Sequence, residues 1–168
     1  MSTQHCDIEA SVKQAIRSER DAVDALLRYA GNDYAAVVEA ILESDGRLIF
    51  FGVGKSGHIG KKLAATFAST GTPSFFVHAT EALHGDLGMI RSDDIVCMIS
   101  NSGTTREVLD ALPTLQALGC KRIALTSDVD SPLAAGCDLS LTYPKPVESD
   151  HLNLAPTASS TVTLVLGD

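Results

Sequence analysis

A basic stripe is missing from this sequence. Its 168 residues carry 13 Lys and Arg against 21 Asp and Glu, a formal net charge of −8. That acidic balance argues against nucleic acid or an anionic membrane surface as a partner. No apolar run reaches the ~18 residues that a membrane span needs. The opening Met1-Ser-Thr-Gln-His-Cys-Asp7 has neither a charged n-region nor an apolar h-region, so no signal peptide is read there. The cytoplasm is the expected compartment. Cysteine is scarce, with Cys6, Cys97, Cys120 and Cys137 and no pair at C-x-x-C spacing. A cysteine metal site or redox pair is therefore not indicated. Reduced core thiols are expected instead, with Cys97 inside an apolar strand and Cys137 beside another. Internal repeats, low-complexity tracts and Gly/Ser linkers are also missing, which leaves a single domain.

What is present is apolar content. Hydrophobic residues make up 45% of the chain and the mean hydropathy is +0.14. A chain of this length buries roughly 68–70% of its unfolded surface, enough for a core without disulfides. Residues 8–29 read as a helix on the spacing of Ile8, Val12, Ala15 and Ile16, continued by Ala22, Val23, Leu26 and Leu27. A second helix is expected from Tyr34 to Ser44, ended by Asp45-Gly46. From there the pattern alternates. Strands are expected at 47–51, 74–77, 94–99, 122–126 and 138–142. Helices are expected at 57–70, 105–118 and from 158 onward, with helical turns at 79–84 and 131–136. Short apolar strands alternating with helices predict a parallel sheet covered on both faces, a three-layer doubly wound α/β fold of about five strands. Residues 1–45 are read as N-terminal helices that pack on the domain or on a partner subunit, and residues 46–168 as the α/β domain.

Two loops carry the chemistry. The first, Gly52-Val-Gly-Lys-Ser-Gly-His58, follows the first strand. Its Gly52, Gly54 and Gly57 match the dinucleotide fingerprint in a strand–turn–helix context. The ribose-binding acid is missing, because the second strand ends in His78 and Glu81 lies too far past it. A Walker A loop fails too, since position 49 is Ile49 and not glycine. A glycine-rich turn with Lys55 and Ser56 beside a ligand remains, against the plainer reading of a tight turn with a solvated lysine. The second loop, Ser100-Asn-Ser-Gly-Thr-Thr-Arg-Glu107, follows the third strand. Gly103 permits a backbone turn that other residues resist, and Thr104 or Thr105 can cap the next helix. Ser100, Ser102 and Thr105 offer hydroxyls, and a helix N-terminus offers N–H groups, a set suited to a phosphate monoester. Glu107 falls in the first helical turn, where favourable dipole placement alone also explains an acid. His84, in Thr80-Glu-Ala-Leu-His-Gly-Asp-Leu-Gly88, is either a general acid/base or a loop pin. His78 and His84 stand six apart, no standard metal spacing, so no metal is expected. A third polar cluster, Glu148 to Thr161, opens the last helix with Pro156, Thr157, Ser159 and Ser160.

Together Gly52–Gly60, Ala64–His78, His84–Met89, Ser100–Gly103 and Leu154–Ser160 resemble the sugar isomerase (SIS) domain, and more narrowly the D-arabinose-5-phosphate isomerase family. The resemblance covers about residues 45–168 and implies a flavodoxin-like α/β/α sandwich. It implies interconversion of D-ribulose 5-phosphate and D-arabinose 5-phosphate for Kdo and lipopolysaccharide, with a small-molecule sugar phosphate as partner, no organic cofactor, and a homotetramer. By position, Lys55, Glu107 and Glu148 match residues proposed for catalysis. Ser56, Ser100, Ser102 and Thr105 match phosphate-contacting positions, with Gly54, Asn101, Thr157 and Ser160 counted among the binding candidates. His84 is added to the catalytic candidates. Thr104-Thr-Arg106 replaces the family's usual acid-serine-serine stretch, which places Arg106 near the phosphate loop. The family's further histidine, in a His-Pro-Gly-Gly segment, lies beyond the final helix, and the chain is expected to be a shortened form that also omits CBS domains. The expected chemistry is proton removal alpha to a carbonyl through a cis-enediolate. Glu107 is the leading base, Lys55 stabilises negative charge, and Glu148 or a histidine moves the hydroxyl proton. The alternatives are a regulatory module that binds a sugar phosphate or nucleotide-sugar, and another sugar-phosphate isomerase.

Overall fold

The structure, a computed structural model, describes residues 7–29 and 31–168. Cys6 lies outside the described residues. Strands β1 (Leu48–Gly52), β2 (Ser74–His78), β3 (Ile95–Ile99), β4 (Lys121–Thr126) and β5 (Leu139–Thr142) form one sheet. Every pairing is parallel, and the spatial order is β2-β1-β3-β4-β5. Helices α1 (Ile8–Leu26), α2 (Asn32–Leu42), α3 (Gly54–Ser69), α4 (Ala79–Ala82), α5 (Arg106–Leu109), α6 (Leu112–Leu118), α7 (Pro132–Gly136) and α8 (Ala158–Gly167) cover it. The expected three-layer α/β/α sandwich is the observed fold.

Side chains alternate across the sheet with the strand period of two. Leu48, Phe50, Ile95, Cys97, Ile99, Ile123 and Leu125 pack with Leu26, Val37, Leu63 and Val162, under α1, α2, α3 and α8. Ile49, Phe51, Val96, Met98 and Ala124 pack on the other face with Ala79, Val108, Leu112, Leu115 and Leu133, under α4 to α7. The strands read as continuous apolar runs because both faces are covered. Cys97 and Cys120 are buried and free, and Cys137 is half-buried and free. Burial pushes the Cys97 and Cys137 thiols up to about 12, so they remain protonated packing groups.

Four expected helices differ from the observed ones: that expected at 57–70 runs over Gly54–Ser69, and that expected at 34–44 over Asn32–Leu42. The single helix expected at 105–118 splits into α5 and α6. Pro113 has no N–H to give the Leu109 carbonyl, and its ring disfavours helical backbone before it, so a fresh helix starts with proline in its first turn. The N-terminal helix ends at Leu26 rather than 29. Its second half packs, with Leu26 buried, while Ile8, Val12 and Ile16 are 75%, 53% and 64% exposed. Among the described residues no helix is long and apolar enough to cross a membrane.

One ion pair ties the amino ends of β1 and β3. Asp94 is 1% exposed. It accepts from Arg47 Nε at 2.9 Å, Arg47 Nη2 at 2.6 Å and the backbone N–H groups of Arg47 and Arg91 at 3.0 and 2.7 Å. Burial pushes its pKa up, but the Arg47 side chain and the two backbone donors outweigh this and hold it below the ordinary value of 3.8. The pair's contribution is therefore complete above pH 3.8 and is lost as pH falls through the folded pKa. Asp94→Ala strands the Arg47 guanidinium, and a loss of about 3 kcal/mol at pH 7 is expected in urea denaturation. The gap between variant and wild type should narrow as the pH drops below 3.8.

Candidate active site

The sheet order places β1 beside β3 at the point where the winding reverses. The connection after β1 runs through α3 on one face, and the connection after β3 runs through α5 and α6 on the other. The carboxyl ends of such neighbouring strands are the usual ligand position in open parallel sheets. Both glycine-and-hydroxyl loops stand at these two ends. At the end of β1, Val53 is extended and Gly54 turns into α3 with φ +60, a left-handed backbone that favours glycine. Lys55 is exposed and Ser56 half-buried in the first turn of α3. This helix is 16 residues long, so its N-terminal field acts on an anion placed there.

The second loop is held from within. Ser100 is 2% exposed, and its Oγ lies 2.7 Å from Thr105 Oγ1. Thr105 occupies the N-cap position of α5, yet its side chain makes no cap hydrogen bond. The expected hydroxyl cap is thus not formed, because the buried Ser100 takes the Thr105 hydroxyl. Ser102 Oγ, on the exposed side, accepts from Thr104 Oγ1 at 2.9 Å and Thr104 N–H at 3.3 Å. The four-residue α5 adds little dipole, so hydroxyls and individual N–H groups carry this half of the cradle. Gly103 closes the turn at φ +64, and a Cβ there would lie 2.1 Å from Ser131 Oγ.

Asn101 has a different part from the one expected. Its backbone carbonyl accepts from Ser127 N–H at 2.9 Å, Ser127 Oγ at 2.7 Å and Thr126 Oγ1 at 3.2 Å. Its side-chain Oδ1 accepts from the Tyr143 hydroxyl at 2.9 Å. Asn101 therefore anchors the loop to β4 and to the residue after β5. Burial pushes the Tyr143 hydroxyl up to about 12, opposed by Thr163 and reinforced by the Glu148 charge. Tyr143 keeps its proton and remains a donor.

Glu107 is half-buried in α5, beside α4. Exposed His84 follows α4, which brings its segment alongside the helix bearing Glu107. In the third cluster, Glu148 Oε2 accepts from Thr157 N–H at 2.8 Å, Thr157 Oγ1 at 3.1 Å and Ser159 N–H at 3.2 Å. Burial pushes the Glu148 pKa up, but the Ser159 and Thr157 donors outweigh it and hold it below the ordinary 4.5. Glu148 is thus ionised at neutral pH and clamps the start of α8. Thr157 Oγ1 also accepts from Ser149 N–H at 2.7 Å, and Ser160 Oγ bonds back to the Pro156 carbonyl at 3.3 Å. These two hydroxyls serve the loop and helix that carry them. Arg106 is exposed and pairs with Asp110 at 3.5 Å.

Three participants have no expectation behind them. Tyr143 holds Asn101, Ser131 abuts Gly103, and Asn153 Oδ1 accepts from Glu148 N–H at 2.7 Å. Ser131 has a local signal, a Ser-Pro helix start whose hydroxyl accepts from Ala134 N–H. Tyr143 has none, since its partner is 42 residues away.

Residues 41–168 match the SIS domain family. An arabinose 5-phosphate isomerase KdsD of Pseudomonas aeruginosa is 51% identical over 166 residues, which cover 99% of this chain and 51% of that protein. The KdsD protein of Yersinia pestis is 46% identical over 162 residues, 96% of this chain and 49% of its own. The chain spans about half the length of the curated relatives it matches. Among solved structures, a protein of E. coli CFT073 in complex with arabinose 5-phosphate superposes with a TM-score of 0.93 at 48% identity, covering 100% of this chain and 88% of that one.

The second loop's conformation depends on a missing side chain. Gly103→Ala would combine left-handed strain with a clash against Ser131, and a destabilisation of about 2–4 kcal/mol is expected in thermal or urea unfolding. Ser131→Gly in the same background should recover part of it, because the clashing hydroxyl is gone.

Proposed function

The chain belongs to the SIS domain family, and on that footing we propose that it forms the sugar-phosphate site of an aldose–ketose isomerase. The reaction is the interconversion of D-ribulose 5-phosphate and D-arabinose 5-phosphate, in the supply of Kdo. The observation that supports this reading is that the Gly54-Lys55-Ser56 turn and the Ser100–Thr105 loop follow the neighbouring strands β1 and β3 at the same edge of the sheet. Together they offer N–H groups, hydroxyls and one lysine to a dianion, beside a carboxylate on the next helix. The likeness to a protein bound to arabinose 5-phosphate supports the same ligand class.

Moving a carbonyl between C1 and C2 needs a proton taken from the carbon alpha to it and returned to the neighbouring carbon. Glu107 takes that proton in this reading, and a cis-enediolate follows. Lys55 stabilises the negative charge on the substrate oxygens. Glu148 or His84 moves the hydroxyl proton between O1 and O2. The Ser159 and Thr157 donors keep Glu148 ionised, which favours an electrostatic part for it and leaves His84 as the better candidate for moving the hydroxyl proton. Ser100, Ser102 and Thr105 bind the phosphate with Ser56. Asn101 holds their loop in place, and Thr157 and Ser160 shape the approach to Glu148.

Residues 46–168 form the substrate domain, and residues 1–45 supply helices that cover it and meet another copy. The exposed stripe of Ile8, Val12 and Ile16 supports a homo-oligomer, a tetramer by family resemblance. The acidic charge suits a cytoplasmic sugar-phosphate enzyme with no nucleic-acid partner.

In the full-length protein, Glu107→Gln should lower turnover by about 10²–10⁴-fold, the usual worth of a general base. Coupled assay of arabinose 5-phosphate formation and loss of the C2 proton in deuterated water both read it. Unchanged turnover removes Glu107 from the role. Pentose phosphate binding without any C2 exchange in the wild type would instead favour a sensing module.

A further inference from the structure

Tyr143 is a large polar side chain buried beneath the sheet's helical cover, and no part of the reaction described above uses it. It is 2% exposed and follows β5. Its hydroxyl donates to Asn101 Oδ1 at 2.9 Å and lies 3.4 Å from Thr163 Oγ1. Thr163, itself 4% exposed, donates to the Ser159 carbonyl at 2.8 Å. Each hydroxyl has one proton. With both protons so placed, the contact between Tyr143 and Thr163 has no proton of its own. The Ser159 N–H, in turn, reaches Glu148 Oε2 at 3.2 Å. Tyr143 is therefore bonded to the second loop through Asn101, and its approach to Thr163 is a packing contact only.

We infer that Tyr143 is a positioning residue for phosphate binding, holding the Ser100–Thr105 loop through its bond to Asn101. The inference rests on the reading of that loop as the phosphate cradle. Asn101 stands between Ser100 and Ser102, the two serines whose hydroxyls flank it. Its carbonyl is already tied to Ser127 and Thr126. The Tyr143 bond adds a tether on its side chain, so the peptides on either side are constrained from two directions. A buried acceptor left unpaired costs far more than an exposed one. Loss of the hydroxyl therefore drives Asn101 to turn toward water and carries Ser102 with it. Glu107 and Lys55 lie on other helices, outside this tether.

The test is Tyr143→Phe in the full-length protein, which keeps the ring and removes only the oxygen. KM for arabinose 5-phosphate should rise about 3–10-fold while kcat stays within about twofold, the range expected when one hydrogen bond behind a binding loop is lost. Inhibition by inorganic phosphate should weaken by the same factor. In an Asn101→Ala background the Tyr143 change should add less than about 1.5-fold, because the shared bond is already gone. An unchanged KM and phosphate affinity, with only a lower melting temperature, would overturn the inference, as would additive effects in the double variant. If Tyr143→Phe does not fold, Thr163→Val tests the other neighbour of the Tyr143 hydroxyl. It should leave phosphate affinity intact if Asn101 is the effective partner, and weakened affinity there overturns the assignment. A wild type that binds inorganic phosphate without turning over substrate would sink the isomerase reading alone, and the phosphate titration would still judge Tyr143.

Discussion

Strands β1 and β3 bury every side chain they carry, so neither face of the sheet can meet water and each needs a helical layer. This dryness organises the molecule. The helices after β2, β3 and β4 cover one face and those before β1 and after β1 and β5 the other, so the winding reverses between β1 and β3. At the reversal the connections after β1 and β3 depart to opposite faces. The two glycine-and-hydroxyl turns stand at the carboxyl ends of these strands, the usual ligand position in an open parallel sheet. The long α3 has its N-terminus at this edge, while α5 is cut to a single turn by Pro113. One half of the cradle therefore has a strong helix field and the other depends on individual donors.

The polar groups around this edge are held by bonds that reach far through the chain. Asn101 is fixed by Ser127, Thr126 and Tyr143, and Glu148 is fixed by Thr157, Ser159 and Asn153. Such bonds give little net stability each, but leaving one unmade in a dry setting is costly. That asymmetry lets a buried tyrosine constrain a surface loop. The overall charge of −8 does not set the potential at this edge. Lys55 and the N-terminus of α3 stand at this edge, and the local potential follows them rather than the overall balance.

Much of this was readable from residue order. Strand positions followed from short apolar runs, and each observed strand lies within a residue or two of its expected place. The helix expected across 105–118 was misjudged because periodicity outweighed Pro113, whose missing N–H decides the matter. Residue type points to a hydroxyl cap from Thr104 or Thr105, the common local choice. The nearby buried Ser100 offered a better partner, and no rule of sequence spacing anticipates that competition. Asn101 was grouped with its serine neighbours as a ligand contact, whereas its side chain turns inward to a residue 42 positions on.

The sequence by itself determined the layered fold, the placing of two polar turns at strand ends, and the family to which they belong. Those features depend on local periodicity, on glycine at turns that need it, and on residue types in fixed order. The tertiary structure alone decided which hydroxyls remain available to a ligand and which are consumed in support. It tied Thr105 to Ser100, Asn101 to Tyr143, and Glu148 to the start of α8. The physical reason is that a hydrogen bond is awarded by distance in space and by the cost of burial. Side chains far apart in the chain compete for the same donor or acceptor only once the sheet has brought them together.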